Sequence, residues 1–249
     1  MHTKRYGVLA ALVWIGLGAA AVLGQQNAAP PVQDVEKPPG TTKQPEPRKP
    51  EAPALEVTLD TSETPEMAQW AARAKTLCEQ NFPMILEHLG APGFAPPTKV
   101  RIVFKNMKGI AHTSGTTITC GAAWFKAHPD DYGAVIHELC HVVQAYGNKQ
   151  VPGWVTEGIA DYVRWFNFEP PNHRPRVDPR RAKYTDSYQT TAAFFDWMVR
   201  TKDKSFVNRL NAAVRKGQYK AELFQEFAGK PVDELWTEFI ESLAKKRAA

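Results

Sequence analysis

Apolar and polar positions change period several times along the chain, and each change predicts an element. Val57 and Leu59 alternate with polar neighbours from Glu56 onward, the pattern of a short strand. Thr64-Pro65-Glu66 then opens a helix whose apolar stripe runs to about Leu89. Lys99 to Lys105 (KVRIVFK) alternates apolar and charged residues over one strand length, and Thr116 to Ala122 (TTITCGA) reads as a β-branched strand after a turn at Ser114-Gly115. Pro129-Asp130-Asp131 places a proline and two acids in a first helical turn. The apolar positions Val135, Ile136, Leu139, Val142 and Val143 carry that helix to Tyr146, and Gly147 ends it. Another helix runs from about Val155 to Phe168 and stops at Pro170-Pro171, and from about Ser187 to the C-terminus the pattern is helical. The class predicted is α+β, a small mixed sheet with a helical C-terminal half.

Upstream of this pattern the chain changes character. His2, Lys4 and Arg5 precede an apolar run from Tyr6 to Leu23 and small residues around Gly24, the layout of an export signal over residues 1–24. The run is at the short edge for spanning a bilayer, so cleavage after Gly24 and retention as an anchor are both open. Either outcome puts the remainder outside the cytoplasm, secreted, periplasmic or held at the cell envelope. Residues 25–54 carry eight prolines among Gln, Lys, Glu and Thr, a composition that buries no core and reads as a linker. The domain expected is therefore 55–249, large enough to fold on its own apolar surface. A metal site in it is then expected to serve chemistry rather than folding.

A formal net charge of +5 and a pI near 9.0 would suit acidic cell-envelope polymers. The basic residues are interspersed with acids and form no long run, which favours a solvated surface, and no nucleic-acid partner is expected. Cys78, Cys120 and Cys140 are too few for a disulfide framework. Two readings stay open, buried small hydrophobes or a single Cys78–Cys120 bridge.

Residues 137–141 read His137-Glu138-Leu139-Cys140-His141 inside a predicted helix. Four residues make slightly more than one turn, so both imidazoles leave one face and can close on a single ion, while Glu138 projects about 100° around the axis. Two imidazoles and a carboxylate suit Zn2+ with a fourth position open. Glu157 offers that carboxylate 16 residues after His141, and Asp161 shares its helix face. An isolated helical histidine is ordinarily a satisfied core residue, and an acidic pair at that spacing is ordinarily a solvated face. Here both acids sit among Trp154, Val155, Ile159, Ala160 and Val163, where burial without a cation or a donor is costly.

The layout is similar to that of thermolysin-like peptidases, the gluzincins. From Glu56 nearly to the C-terminus the chain also resembles the plant basic secretory protein family and its bacterial relatives. That resemblance rests on VTLDTSETPEMAQWAARAK, HTSGTTI, HELCHVVQ, PGWVTEGIADYVRW, SYQTTAAFFDWM and GKPVDELW. It implies a zincin-like fold and a zinc peptidase acting on peptides or proteins. His137, His141 and Glu157 are then the ligands, Glu138 the general base, and Asp161 the acceptor for the outer nitrogen of a ligand histidine. The tetrahedral intermediate of peptide hydrolysis needs a further donor, for which Tyr188 is preferred over Tyr162, Tyr184 and His173. The strand 116–122 is expected to offer its edge to extended substrate. Two rival readings remain, a non-catalytic zinc-containing envelope-binding protein and another zinc hydrolase such as a deacylase. Oligomeric state is not legible.

Overall fold

β-Branched and aromatic residues at alternate positions build the sheet. The computed structural model describes residues 53–186 and 188–248; the expected export segment and nearly all of the proline-rich stretch lie outside the described residues. The strands are β1 (Glu56–Asp60), β2 (Lys99–Lys105), β3 (Ala111–Ser114) and β4 (Thr117–Gly121). Their order is β1-β2-β4-β3, with β1, β2 and β4 parallel and β3 antiparallel to β4. The sheet is therefore mixed and the class α+β. β3 is an addition to the elements read from the sequence, because Ala-His-Thr-Ser carries no apolar alternation. Its register pairs Ser114 with Thr117 across a two-residue turn, and Gly115 adopts the φ of +60° that such a turn needs at its first position.

This pairing corrects the expectation about the sheet edge. β4 lies between β2 and β3, so both of its edges are used; β3 is the outer strand on that side. Residues Ala122–Ala127 also form a short helix, α2, where the strand was expected to continue to Ala122.

Helices α1 (Ala68–Leu89) and α3 (Gly133–Gln144) pack on the sheet and on each other. Phe82, Ile85 and Leu89 of α1 and Ile136, Leu139 and Val143 of α3 meet Ile102, Phe104 and Ile118 in one apolar core. The start of α3 is Gly133, later than the proline-acid turn suggested. Asp131 remains outside the helix and accepts a hydrogen bond from the Ala134 amide at 3.2 Å, satisfying one of the free N–H groups of the first turn. At the other end Ala145, not Gly147, takes the left-handed capping conformation, with φ 47°. The Arg215 guanidinium receives the carbonyls this leaves, donating to Val143 and Gln144 and also to Leu89 at the end of α1.

Helix α4 (Gly153–Val163) follows and continues as a π-helical segment, Arg164–Phe168. The C-terminal half comprises α5 (Tyr188–Thr201), α6 (Phe206–Arg215), α7 (Leu223–Ala228) and α8 (Val232–Ala248). It is held by an aromatic cluster that includes Phe194, Phe195, Phe206, Phe224, Trp236 and Phe239. Cys78, Cys120 and Cys140 are all free and buried, with no Cys78–Cys120 bridge. Burial pushes the Cys78 thiol up to about 12 and raises those of Cys120 and Cys140 too, so all three are inert packing groups.

Close approach of α4 and α5 depends on Gly158. A Cβ there would stand 2.3 Å from Thr191 Cγ2 and 3.2 Å from Phe195, and Thr191 is itself fully buried. Gly158→Ala is therefore expected to destabilise the protein by about 1–3 kcal/mol through overpacking. Chemical denaturation would check this, and an unchanged midpoint would show that α5 yields freely.

Candidate metal centre

The site is assembled from two helices that meet at one point. Four-residue spacing puts the His137 and His141 rings on one face of α3, with centroids 4.7 Å apart and planes at 86°. Their Nε2 atoms are 3.0 Å apart, and Glu157 Oε2, from the first half of α4, lies 3.1 Å from each.

Hydrogen bonds on the far side of each ring decide what those three atoms present. Gln144 Nε2 donates to the Thr156 carbonyl at 2.8 Å, so its Oε1 faces His141 Nδ1, 2.6 Å away, and that nitrogen must be the donor. His137 Nδ1 likewise donates to Asp161 Oδ1 at 2.6 Å. Both Nε2 lone pairs therefore converge with a carboxylate oxygen, three acceptors within about 3 Å of each other. That arrangement is repulsive unless a cation or proton sits among them. Tetrahedral ligands about 2.0–2.2 Å from one ion stand about 3.3–3.6 Å apart, so small adjustments fit this donor set to zinc. His137, His141 and Glu157 thus form a possible metal site compatible with that ion.

Charge tells the same story. Burial opposes a positive His137 ring, but hydrogen bonds to Asp161 and Glu157 outweigh it and hold the metal-free group at about 9. For Glu157, burial likewise favours the neutral form, and the bonds to His137 and His141 overcome it, leaving the carboxyl at about 2. A folded-state value above the unfolded one means that the proton on His137 stabilises the metal-free fold fully below about 6.5, and that this is lost as pH rises through about 9. Metal binding requires the neutral ring and has the opposite sign. Between pH 7 and 8.5, zinc affinity is expected to rise about tenfold per pH unit from this one proton. Competition titrations against a chelator would measure it, and a flat profile would contradict it.

Glu138 stands beside the triad, nearly buried at 8 % exposure. The Thr113 hydroxyl lies 2.7 Å from Glu138 Oε2 and 2.9 Å from its backbone carbonyl, so the outer strand β3 fixes the carboxylate against α3. A cleft of about 530 Å³ opens over it, lined among others by Ala111, Ala134, Trp165 and Tyr188. Arg164 and Trp165 also border it, though Arg164 Nε and Trp165 Nε1 are themselves buried without an acceptor within hydrogen-bond distance among the described residues, Arg164 Nε facing Glu169 Oε1 at 3.7 Å.

Of the four side chains weighed as the additional donor, Tyr188 alone lines this cleft. It is 55 % exposed, and its ring centroid is 6.4 Å from that of His137. It also borders a smaller cavity of about 420 Å³ against Glu157. The Tyr184 hydroxyl is given to Asp233 at 2.9 Å, Tyr162 packs on His88 and Phe166, and His173 lies 3.3 Å from Glu169. Thr113 and Gln144 are the side chains contacting this site that sequence reasoning missed. Both lie in motifs that it quoted, HTSGTTI and HELCHVVQ, but their partners are distant in the chain or depend on an amide orientation.

With this geometry in place, comparison with known proteins adds one finding. A family model described as BSP, Peptidase of plants and bacteria, matches residues 58–239. No curated protein and no solved structure gives a significant match.

Proposed function

Because the chain belongs to the BSP family, the peptidases of plants and bacteria, we propose that it is a zinc-dependent peptidase of zincin-like fold acting outside the cytoplasm. The observation that supports this reading most is the convergence of two imidazole lone pairs and one carboxylate oxygen beside a separately anchored glutamate.

His137, His141 and Glu157 would hold the ion, with Asp161 and Gln144 orienting the two rings. A zinc ion bound there supplies Lewis acidity, lowering the pKa of water and polarising the scissile carbonyl. Glu138 takes a proton from the attacking water and then gives it to the leaving amine, acting as base and then as acid. The Thr113 hydroxyl keeps one carboxylate oxygen in place throughout. Extended substrate pairs with the edge of β3, the outer strand among the described residues, whose Ala111 already borders the cleft, so backbone atoms supply most of the binding. Tyr188 donates to the oxyanion that develops on the carbonyl oxygen. Tyr188→Phe is then expected to lower kcat by about 10²–10³ with little change in KM. A loss confined to KM would assign it to binding instead.

Export through residues 1–24 accompanies this reading, and N-terminal sequencing of the mature protein would test it. The activity itself is tested by a mixed peptide library, with chelator and with zinc restored. Cleavage abolished by chelator and recovered with zinc supports the proposal. Stoichiometric zinc without cleavage leaves an envelope-binding protein, and release of acyl groups with peptides intact leaves a deacylase.

A further inference from the structure

Trp165 borders the cleft over Glu138, whereas its neighbour Phe166 borders a different cavity of about 530 Å³. The same division occurs on α5, where Gln189 faces the first and Ala193 the second. Those two residues are one helical turn apart, about 6 Å along the axis, so the cavities are neighbours separated by the π-helical segment.

The second cavity has a distinct chemistry. Arg174, Arg176 and Arg200 surround it, with Phe166, Val177 and Phe239 among its apolar lining. Asp196 is its one acid, and Arg200 holds that carboxylate through Nε at 2.8 Å and Nη2 at 2.5 Å. Arg174 and Arg176 are exposed, and neither has an acidic partner among the described residues; the Arg174 guanidinium lies 5.5 Å from the centre of the Phe166 ring. Three arginines against one aspartate leave the lining at +2. The adjoining chain adds Arg180, Arg181 and Lys183, opposed by Asp178 and by Asp186, which accepts from the Lys183 amide at 2.7 Å. None of this charge is used by the metal centre.

Planar guanidinium groups match carboxylates in shape as well as charge, and the apolar lining accepts the side chains beside such a carboxylate. From Tyr188 at the catalytic cleft to Asp196 at the arginine cavity is eight residues of α5, about 12 Å, which an extended peptide crosses in roughly four residues. We propose that the arginine cavity is a further substrate subsite beside the catalytic cleft, holding an acidic residue of the polypeptide substrate roughly two to five residues from the bond that is cut. This inference rests on the peptidase reading and adds a substrate preference to it.

The test uses the zinc-loaded protein and a set of fluorogenic peptides. One glutamate, flanked by leucine, is moved from two to five residues away on either side of the scissile bond; lysine replaces it in matched controls, and glutamine in a neutral parent. In the wild type the best-placed glutamate is expected to raise kcat/KM at least tenfold over lysine, chiefly through KM. In an Arg174→Glu, Arg176→Glu double variant of unchanged melting temperature the preference should invert, and Arg174→Gln, Arg176→Gln should abolish it. Equal rates for glutamate and lysine at every position in the wild type would overturn the proposal. So would a preference that survives both double variants. If the neutral parent is not cleaved at all, the peptidase reading fails independently. The subsite is then judged by fluorescence anisotropy of the labelled glutamate peptide, where loss of binding in the double variants supports it and equal binding overturns it. Tight binding of an anionic polysaccharide that the acidic peptide cannot displace would overturn it as well.

Discussion

Glu138→Gln is expected to leave zinc bound and to lower kcat by about 10²–10⁴-fold, a barrier increase of about 3–5 kcal/mol. The substitution is nearly isosteric, and the local structure has room for its altered hydrogen bonding. Thr113 Oγ1 lies within reach of both Glu138 Oε2 and the Glu138 carbonyl. A glutamine amide can therefore donate to the hydroxyl while the hydroxyl donates to the carbonyl, and β3 stays attached to α3. What is lost is an oxygen able to take and return a proton. Metal content by elemental analysis and turnover on the peptide selected from the library would be read together. Wild-type turnover in the zinc-loaded variant would remove Glu138 from the chemistry.

Glu157→Ala should have the largest effect on the metal. It deletes one of three converging donors together with the negative charge that helps to neutralise the ion. The expected loss of zinc affinity is on the order of 10³-fold, beyond the about 10–100-fold typical of residues that only orient a ligand. At a fixed free zinc concentration this removes about 4 kcal/mol of zinc-dependent stabilisation, so the melting temperature should respond little to added zinc. The metal-free variant should also titrate differently. Glu157 is one of the two carboxylates that hold the His137 proton, so the His137 pKa should fall from about 9. An NMR titration of the imidazole and a chelator competition would report the two effects separately. Zinc affinity equal to that of the wild type would show that the carboxylate is a mere hydrogen-bond partner of the two rings.

Parts of this site were legible because they are encoded by local periodicity. A helix brings residues four apart to one face whatever it packs against, so His137 with His141, and Glu157 with Asp161, could be paired from spacing alone. The same holds for β2, where apolar and charged residues alternate at its start and β-branched side chains recur over one strand length. Helix ends were less legible. Pro129-Asp130-Asp131 has the composition of a first turn, yet the helix waits until Gly133, because Asp131 is engaged by the Trp124 indole at 2.9 Å and Arg164 at 2.6 Å. At the far end an alanine accepts the left-handed cap, its cost outweighed by the packing on either side. Strand β3 escaped notice since its four residues have no apolar alternation and pair only through the turn.

Charge shows the same limit from the other direction. Counted along the chain, the basic residues are diluted by acids, but folding brings Arg174, Arg176 and Arg200 around one cavity while Asp196 is taken up by Arg200. Linear interspersion therefore said little about the surface that results.

The amino-acid order by itself determined the α+β class, the family, the helical register of the two histidines and the identity of the two acids that follow. Each depends on interactions within a few residues or on a motif read as a string. Only the tertiary structure decided that Glu157 faces the imidazoles, that Gln144 and Asp161 fix the ring tautomers, that β3 rather than β4 is the outer strand, and that Thr113 anchors Glu138. These choices follow from how helices and strands far apart in the chain pack and pair, and such contacts are selected by the burial of the whole core rather than by any one segment's pattern.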